Sequence, residues 1–586
     1  DGELFTFDAD MEWDIGTPWY RPTRVCHVVG GADYGWRSGN GKWPEYYVDS
    51  LPPVVNVGPG SPTGVTMGRG TRFPAEYRDA MFIADWSYGR VFVANLKPKG
   101  ASYEADLQQF ATASPLGVTD LVVRPQDGAL YLSVGGRQTQ SAVYRIVYDG
   151  PMQTSSTSAS SNDAASQARA LRQRLASASP DELSIDEIWP HLSSNDRFVR
   201  SAARCALEKR PIDGWFERGL VATDGMTRLQ TLVAAARVGS SEIQSRWVQG
   251  LVRIPFDALS TTHKLTWLRT AALGVMRFDP IDSAAREAIL NVVDKSFPLG
   301  DSDVDREFSH LLVRLKAPNL PARLLDRLET LGTQEETLDA AIALSVVSDG
   351  WTQDDRVRML DWFDEAATLG GGRSSFGYLV AARDKFNAGI QGPERVPLAE
   401  RLNKPYVNQP AELASANRPI VQEWKLDELV ALAQSEQRRP DFEAGKKLFA
   451  AASCYQCHRI AGVGSAIGPD LTGVAHRFSL PDLLRSIVEP SHTISDQYQK
   501  TVFEVNGRLI TGRVSNMSGD SLAVSTNMLD AKSEVSIRRE DIEDQYPSKT
   551  SIMPEGLLNT LNKEEVIDLL GYLRAGGDAN DPVYAP

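Results

Sequence analysis

Cys454-Tyr455-Gln456-Cys457-His458 places two cysteines two residues apart and a histidine directly after the second. Few short motifs restrict a chain so tightly, because three reactive side chains on adjacent positions have to serve one chemistry. A structural zinc site needs four ligands, and no second cysteine pair or H-x-x-x-H run is present to complete the tetrahedron. A thioredoxin-like dithiol sits between a strand and a helix, whereas "DFEAGKKLFAAAS" before Cys454 reads as a helix running into the motif. Covalent haem uses all three residues. The thiols add to the two vinyl groups, and the tether delivers the adjacent histidine to the iron as fifth ligand. Cys454 and Cys457 are therefore the predicted attachment points and His458 the proximal ligand.

The flanks agree with that reading. Phe442, Gly445, Leu448 and Phe449 give the entering helix an apolar face, relieved by glycine, that suits a crossing helix. A candidate for the crossing helix is "LNKEEVIDLLGYLRAGG", with Asn562 as cap, Glu565 at the third helical position and Leu561, Val566, Leu569, Leu570 and Leu573 on one face. "SIMPEG" presents Met553 in a loop just before it. His476 and His492 are alternatives as a second axial ligand, and Met517 and Met528 are remoter ones. Residues 498–545 read as a β insert of hairpins, with Asn506-Gly507 as a two-residue turn.

Cys454-Tyr455-Gln456-Cys457-His458, Gly468-Pro469-Asp470-Leu471, Met553-Pro554 and the closing helix, in that order, resemble the class I cytochrome c fold. The resemblance implies that the Pro469 carbonyl accepts a hydrogen bond from His458 Nδ1 and that Met553 is the sixth ligand. A His/Met pair raises the haem potential relative to His/His, which favours accepting electrons.

Two other regions precede this one. Residues 1–150 hold short β-branched and aromatic runs between turn residues, and they repeat internally: "SPTGVTMGRG" from Ser61 and "SPLGVTDLVV" from Ser114 each lead into strand, polar turn and strand. Four-stranded units at such spacing suggest a β-propeller, which closes with roughly four to eight blades. About three blades fit here, so the expectation is the C-terminal blades of a propeller begun upstream. "PMQTSSTSASSNDAASQ", 151–167, reads as a linker. From 168 to 430, Leu, Ala and Val recur at helical spacing around Ala-rich centres, and "HLSSNDRFVRSAARCALEKR" resembles a HEAT repeat. A multidomain chain follows: partial β-propeller 1–150, HEAT-like α-solenoid 168–430, and an α-helical cytochrome c-like domain with a small β insert at 440–586.

"GPDLTGVAHRFSLPDLLRSIVEPSHTISDQY" and "SIMPEGLLNTLNKEEVIDLLGYL" resemble the haem-binding domain of large planctomycete and verrucomicrobial-type proteins named as membrane-bound dehydrogenases. "FTFDADMEWDIGTPWYRPTRVCHVV" and "GADYGWRSG" resemble the propeller part of the same proteins, which is similar to glucose/sorbosone dehydrogenases. The resemblance implies an exported redox protein that passes electrons to a partner protein or terminal acceptor. It also implies a sugar or alcohol as substrate, with pyrroloquinoline quinone and Ca²⁺ in the complete propeller. Asp85, Arg90 and Arg137 are candidates for polar groups at the propeller mouth, set against ordinary roles in their turns. His27 reads as a satisfied structural residue, adjacent Cys26 points to the other strand face, and Cys205 reads as helix packing.

Composition narrows the partners. With 76 Asp+Glu against 62 Lys+Arg, and no basic cluster to follow a phosphate backbone, nucleic acid is not expected. No apolar run approaches the roughly 18 residues that span a bilayer. The first residue, Asp1, reads as the start of a mature or trimmed product.

Overall fold

The computed structural model describes residues 2–37, 42–136, 141–151, 163–371, 374–406, 418–435, 438–465, 467–495, 498–518, 520–528 and 533–585. At the N-terminal end, β1 (Leu4–Asp8), β2 (Thr23–Val28) and β3 (Val55–Gly58) form one antiparallel sheet. A second contains β4 (Pro62–Met67), β5 (Met81–Asp85), β6 (Arg90–Lys99) and β7 (Ser102–Thr112), and a third β8 (Val118–Arg124), β9 (Ala129–Val134) and β10 (Ala142–Ile146). The internal repeat is visible here: the Ser61 copy becomes β4-β5-β6 and the Ser114 copy β8-β9-β10, each an antiparallel run in chain order. β5 is buried along its whole length, as a central strand covered on both faces must be. None of these sheets closes on itself.

The chain is helical from Asp163. The expected linker at 151–167 is therefore partly wrong: its last residues start the helix Asp163–Ser177, whose Ala-rich sequence favours helix and whose Arg172 is anchored by two bonds to Glu3 at 2.6 and 2.8 Å. Residues 152–162 of that stretch lie outside the described ones. Helices then follow one another with side-chain caps at Asp196, Asp224, Ser260, Asp282, Asp301, Thr333 and Thr352. They share one continuous apolar core from Leu175 to Leu402, in which Trp215, Trp247 and Trp267 are fully buried. Their indole N–H groups are not wasted there; Trp247 donates to Leu232 O at 2.8 Å and Trp267 to Leu251 O at 3.1 Å.

The helices bind the N-terminal sheets through buried charges. Arg269 forks onto Asp49 at 2.9 and 2.7 Å, and Tyr46 and Tyr47 donate to the Glu307 carboxylate at 2.8 and 3.1 Å. Cys205 is half-buried rather than in the helical core: its thiol lies 3.6 Å from Gly31 O, because its face of the helix Arg197–Glu208 meets the loop after β2.

The helical core ends earlier than sequence suggested. Trp424 and Leu429, inside the 168–430 region, belong to a separate C-terminal core. The cause is local: Trp424 Nε1 donates to Leu561 O at 3.1 Å, and Val421 N donates to Asn559 O at 2.7 Å. That core forms where helix Phe442–Ala451 crosses helix Lys563–Arg574, and a Cβ at Gly445 would collide with Asp568 O. β11 (Arg459–Ile460) pairs with β12 (Val463–Gly464). The insert is a five-stranded antiparallel sheet made by β13 (Thr501–Val505), β14 (Arg508–Ser518), β15 (Ser521–Ser525), β16 (Glu534–Arg538) and β17 (Ile542–Pro547), in the order β16-β15-β14-β13-β17. Its first turn is Asn506-Gly507, both at positive φ, as a two-residue hairpin requires.

Candidate haem site

Asp441 starts the entering helix by accepting from Ala444 N at 2.7 Å. At its far end Ser453 takes a left-handed conformation, φ 61°, and turns the chain into the short 3-10 turn Cys454–Gln456. Cys457 N and His458 N both donate to Cys454 O, at 3.2 and 2.8 Å, so one tight turn gathers the two thiols and the imidazole. Both cysteines are free. Burial pushes the Cys454 thiol up to about 12 and raises Cys457 as well, which keeps both in the neutral thiol form.

His458 Nδ1 lies 2.9 Å from Pro469 O and donates to it, which leaves Nε2 with its lone pair open to a metal. Burial lowers its pKa against the opposing effects of that bond and of Asp470, so the ring is a neutral imidazole, the form that binds a metal. Gly468 makes the approach possible: a Cβ there would stand 2.8 Å from Cε1 and 2.9 Å from Nδ1 of the ring. Around this bond the two segments are zipped together. Gly468 N donates to Cys457 O at 2.6 Å and Leu471 N to Arg459 O at 2.8 Å, while Arg459 binds the Asp470 carboxylate through Nε at 2.8 Å and Nη2 at 2.6 Å.

Cys454, Cys457, His458 and Met553 line one cavity whose walls include Leu471, Phe478, Leu483, Leu569 and Leu573. Met553 is held in its loop by a bond from its own N–H to Ser551 Oγ at 3.1 Å, and Ser551 N donates in turn to Ser491 Oγ at 3.1 Å. His492 also lines the cavity, though exposed, with Nδ1 3.0 Å from Thr493 Oγ1. His476 is drawn away from it: Nδ1 lies 3.1 Å from Ser114 Oγ and 3.3 Å from Ala113 O. Met528 is half-buried in the β insert and not in the cavity wall, and the Met517 side chain lies outside the described ones.

A planar, largely apolar macrocycle fits this donor set, with two free thiols and a neutral imidazole on one turn and a thioether on the same cavity. The Cytochrome c family model matches residues 442–517. The chain carries a cytochrome c domain. That domain implies haem c and supports an electron-transfer role with a redox partner. The match ends within β14, and Met553 and helix Lys563–Arg574, which complete the cavity of the cytochrome c domain, lie beyond it. No curated protein matches the chain.

The residues proposed for the N-terminal mouth are differently engaged. Asp85 is buried and forks with Arg90, Nε at 3.0 Å and Nη2 at 2.7 Å, while its other oxygen accepts from Ser61 N and Ser87 N. This closes the β5–β6 turn, the ordinary turn role that sequence set against a place at the mouth. Arg137 lies outside the described residues. His27 is fully buried, with Nε2 2.8 Å from Glu3 Oε2 and Nδ1 3.0 Å from Ser102 Oγ. Burial pushes the Cys26 thiol up to about 11. Among the described residues no group of three or more His, Cys, Asp or Glu is placed to hold a metal ion, and no helix is long and apolar enough to cross a membrane. Sequence reasoning missed the Arg459–Asp470 pair, although its signal was present: each residue directly follows one partner of the His458–Pro469 bond.

Proposed function

We propose that this protein is an extracytoplasmic c-type haem electron carrier, acting as the relay of a propeller dehydrogenase that oxidises a sugar or alcohol. The observation that carries the haem part is the single turn on which Cys454, Cys457 and His458 face one apolar cavity, with His458 Nδ1 bonded to Pro469 O at 2.9 Å. In this reading Cys454 and Cys457 hold the group through thioethers, His458 is the proximal ligand and Met553 the distal one. Bound there, haem supplies one-electron redox chemistry. Pro469 holds the proton on Nδ1 and fixes the ring, and the apolar wall excludes water.

Export is proposed from the chemistry of attachment, since haem is joined to CxxCH motifs outside the cytoplasm. The dehydrogenase part rests on the family resemblance and on the repeated antiparallel units β4-β5-β6 and β8-β9-β10, which suit propeller blades. HEAT-like stacking is likewise proposed for the capped helices. A quinone cofactor and Ca²⁺ belong to this proposal without assigned residues. The closed Asp85–Arg90 pair favours a second reading, in which the N-terminal sheets bind partners and only the cytochrome c domain is redox-active.

The test is an alkaline pyridine spectrum of chain matured with haem-attachment machinery, followed by addition of sugars and alcohols with and without quinone and Ca²⁺. Covalent haem reduced by one of these substrates supports the relay. Haem reducible only by dithionite leaves the carrier, and absence of covalent haem overturns both.

A further inference from the structure

One short segment joins the haem cavity to the N-terminal sheets. Leu116 N donates to His476 O at 2.9 Å, and Ser114 Oγ lies 3.1 Å from His476 Nδ1. A Cβ on Gly473 would stand 2.8 Å from Ser87 O and 3.0 Å from the Tyr88 ring, so the two surfaces are in close contact there. The Arg477 guanidinium lies 6.0 Å from the ring of Trp86, whose indole N–H is fixed on Gly135 O at 2.9 Å.

The same segment reaches back to the proximal histidine. Arg477 Nη2 donates to Asp470 O at 2.6 Å, and the Asp470 carboxylate holds Arg459. Asp470 follows Pro469, and Arg459 follows His458. Bonds from the docking segment therefore end on the neighbours of both partners in the His458–Pro469 hydrogen bond. A small cavity at the junction, bounded by Ser87 and Tyr88 on one side and by Arg459, Gly468, Asp470 and Gly473 on the other, marks the same connection.

From this continuity we infer that residues 470–477 couple the N-terminal sheets to the haem site: docking on Gly473–Arg477 sets how firmly the Pro469 carbonyl holds His458, and so sets the haem potential. The inference rests on the haem reading above. Asp470 and Arg477 act as positioning residues. A firm Nδ1–H···O bond makes the imidazole a stronger donor and favours the oxidised iron, so loosening the dock raises the potential. A change in the sheets, such as partner or substrate binding, would thereby change the readiness of the haem to accept an electron.

The experiment uses the full-length holoprotein and two variants at the dock, Gly473→Ala, which wedges Ser87 and Tyr88 away, and Ser114→Ala, which only removes a hydroxyl from His476. The midpoint potential is measured by optical redox titration, and the His458 Nδ1–H by its hyperfine-shifted proton resonance. We expect Gly473→Ala to raise the potential by about 59 mV, a tenfold change in a one-electron equilibrium, and to move the Nδ1–H resonance, with Ser114→Ala doing the same more weakly. Asn562→Ala, which uncaps the closing helix, destabilises the domain without moving either readout. If Gly473→Ala does not fold, Ser114→Ala decides. Unchanged potentials in the dock variants, a fall, or an equal rise in Asn562→Ala would overturn the coupling. Absence of covalent haem in the parent chain is a different result, which overturns the haem reading itself.

Discussion

A methyl group added at Gly468 would lie within 2.9 Å of two atoms of the His458 ring, closer than packed atoms approach without one of them moving. Gly468→Ala is expected to destabilise the holoprotein by about 1–3 kcal/mol, as overpacking does, and to lengthen the Pro469 bond; urea unfolding followed at the haem absorbance checks it. The distal position gives a second prediction. Met553→Ala should abolish the sulfur-to-iron charge-transfer band of the oxidised protein and lower its potential, whereas His492→Ala should leave both unchanged. The opposite pattern would assign the distal ligand to His492, which lines the same cavity. At this scale the Cys454, Cys457 and His458 cluster is legible in sequence because the motif is contiguous. For Asp85 and Arg90 a turn role was legible but their pairing was not, because whether a polar group is free or paired depends on what folding brings beside it.

Among elements, the crossing of helices Phe442–Ala451 and Lys563–Arg574 depends on a small residue where the backbones approach. Gly445→Ala should cost about 1–3 kcal/mol by forcing the helices apart, although alanine favours helix over glycine by roughly 1 kcal/mol in an open position. A measured gain in stability would show that the crossing tolerates a side chain. The apolar faces and the Asn562 cap of this crossing were readable from periodicity, and the cap forms with Glu565 as its reciprocal partner. The helix Leu426–Ser435 has the same amphipathic pattern as the helices before it, so sequence placed it with them up to 430; the bonds from Trp424 to Leu561 and from Val421 to Asn559, and the burial of Leu429, assign it to the other core.

For the molecule as a whole, buried charges bind the sheets to the helices. Asp49→Ala leaves the Arg269 guanidinium buried without its partner, and a loss of about 3–5 kcal/mol is expected, seen as earlier release of the N-terminal sheets in limited proteolysis. The junction of His27, Glu3 and Arg172 predicts acid sensitivity. Burial holds His27 below its ordinary pKa, so the folded chain binds fewer protons than the unfolded one as pH falls below about 6.5. Burial raises Glu3, but the bond with His27 and the charge of Arg172 outweigh it, so its carboxylate also adds stability that is lost toward acid. Thermal midpoints should therefore fall from pH 7 toward pH 5, and His27→Gln should flatten the part of that slope nearest neutrality.

Sequence by itself determined the chemistry of the cytochrome c domain and the local grammar of its elements: the thiols and imidazole in one turn, the crossing faces, the Asn506-Gly507 hairpin, and the repeat that became two antiparallel units. Each depends on residues close together in the chain, where spacing fixes geometry. Tertiary structure decided which of several histidines and methionines reach the cavity, which carboxylates are already paired, and that residues 473–477 connect the haem site to the sheets. Those outcomes depend on contacts that local patterns do not encode, and the last on groups hundreds of positions apart, such as Ser114 and His476.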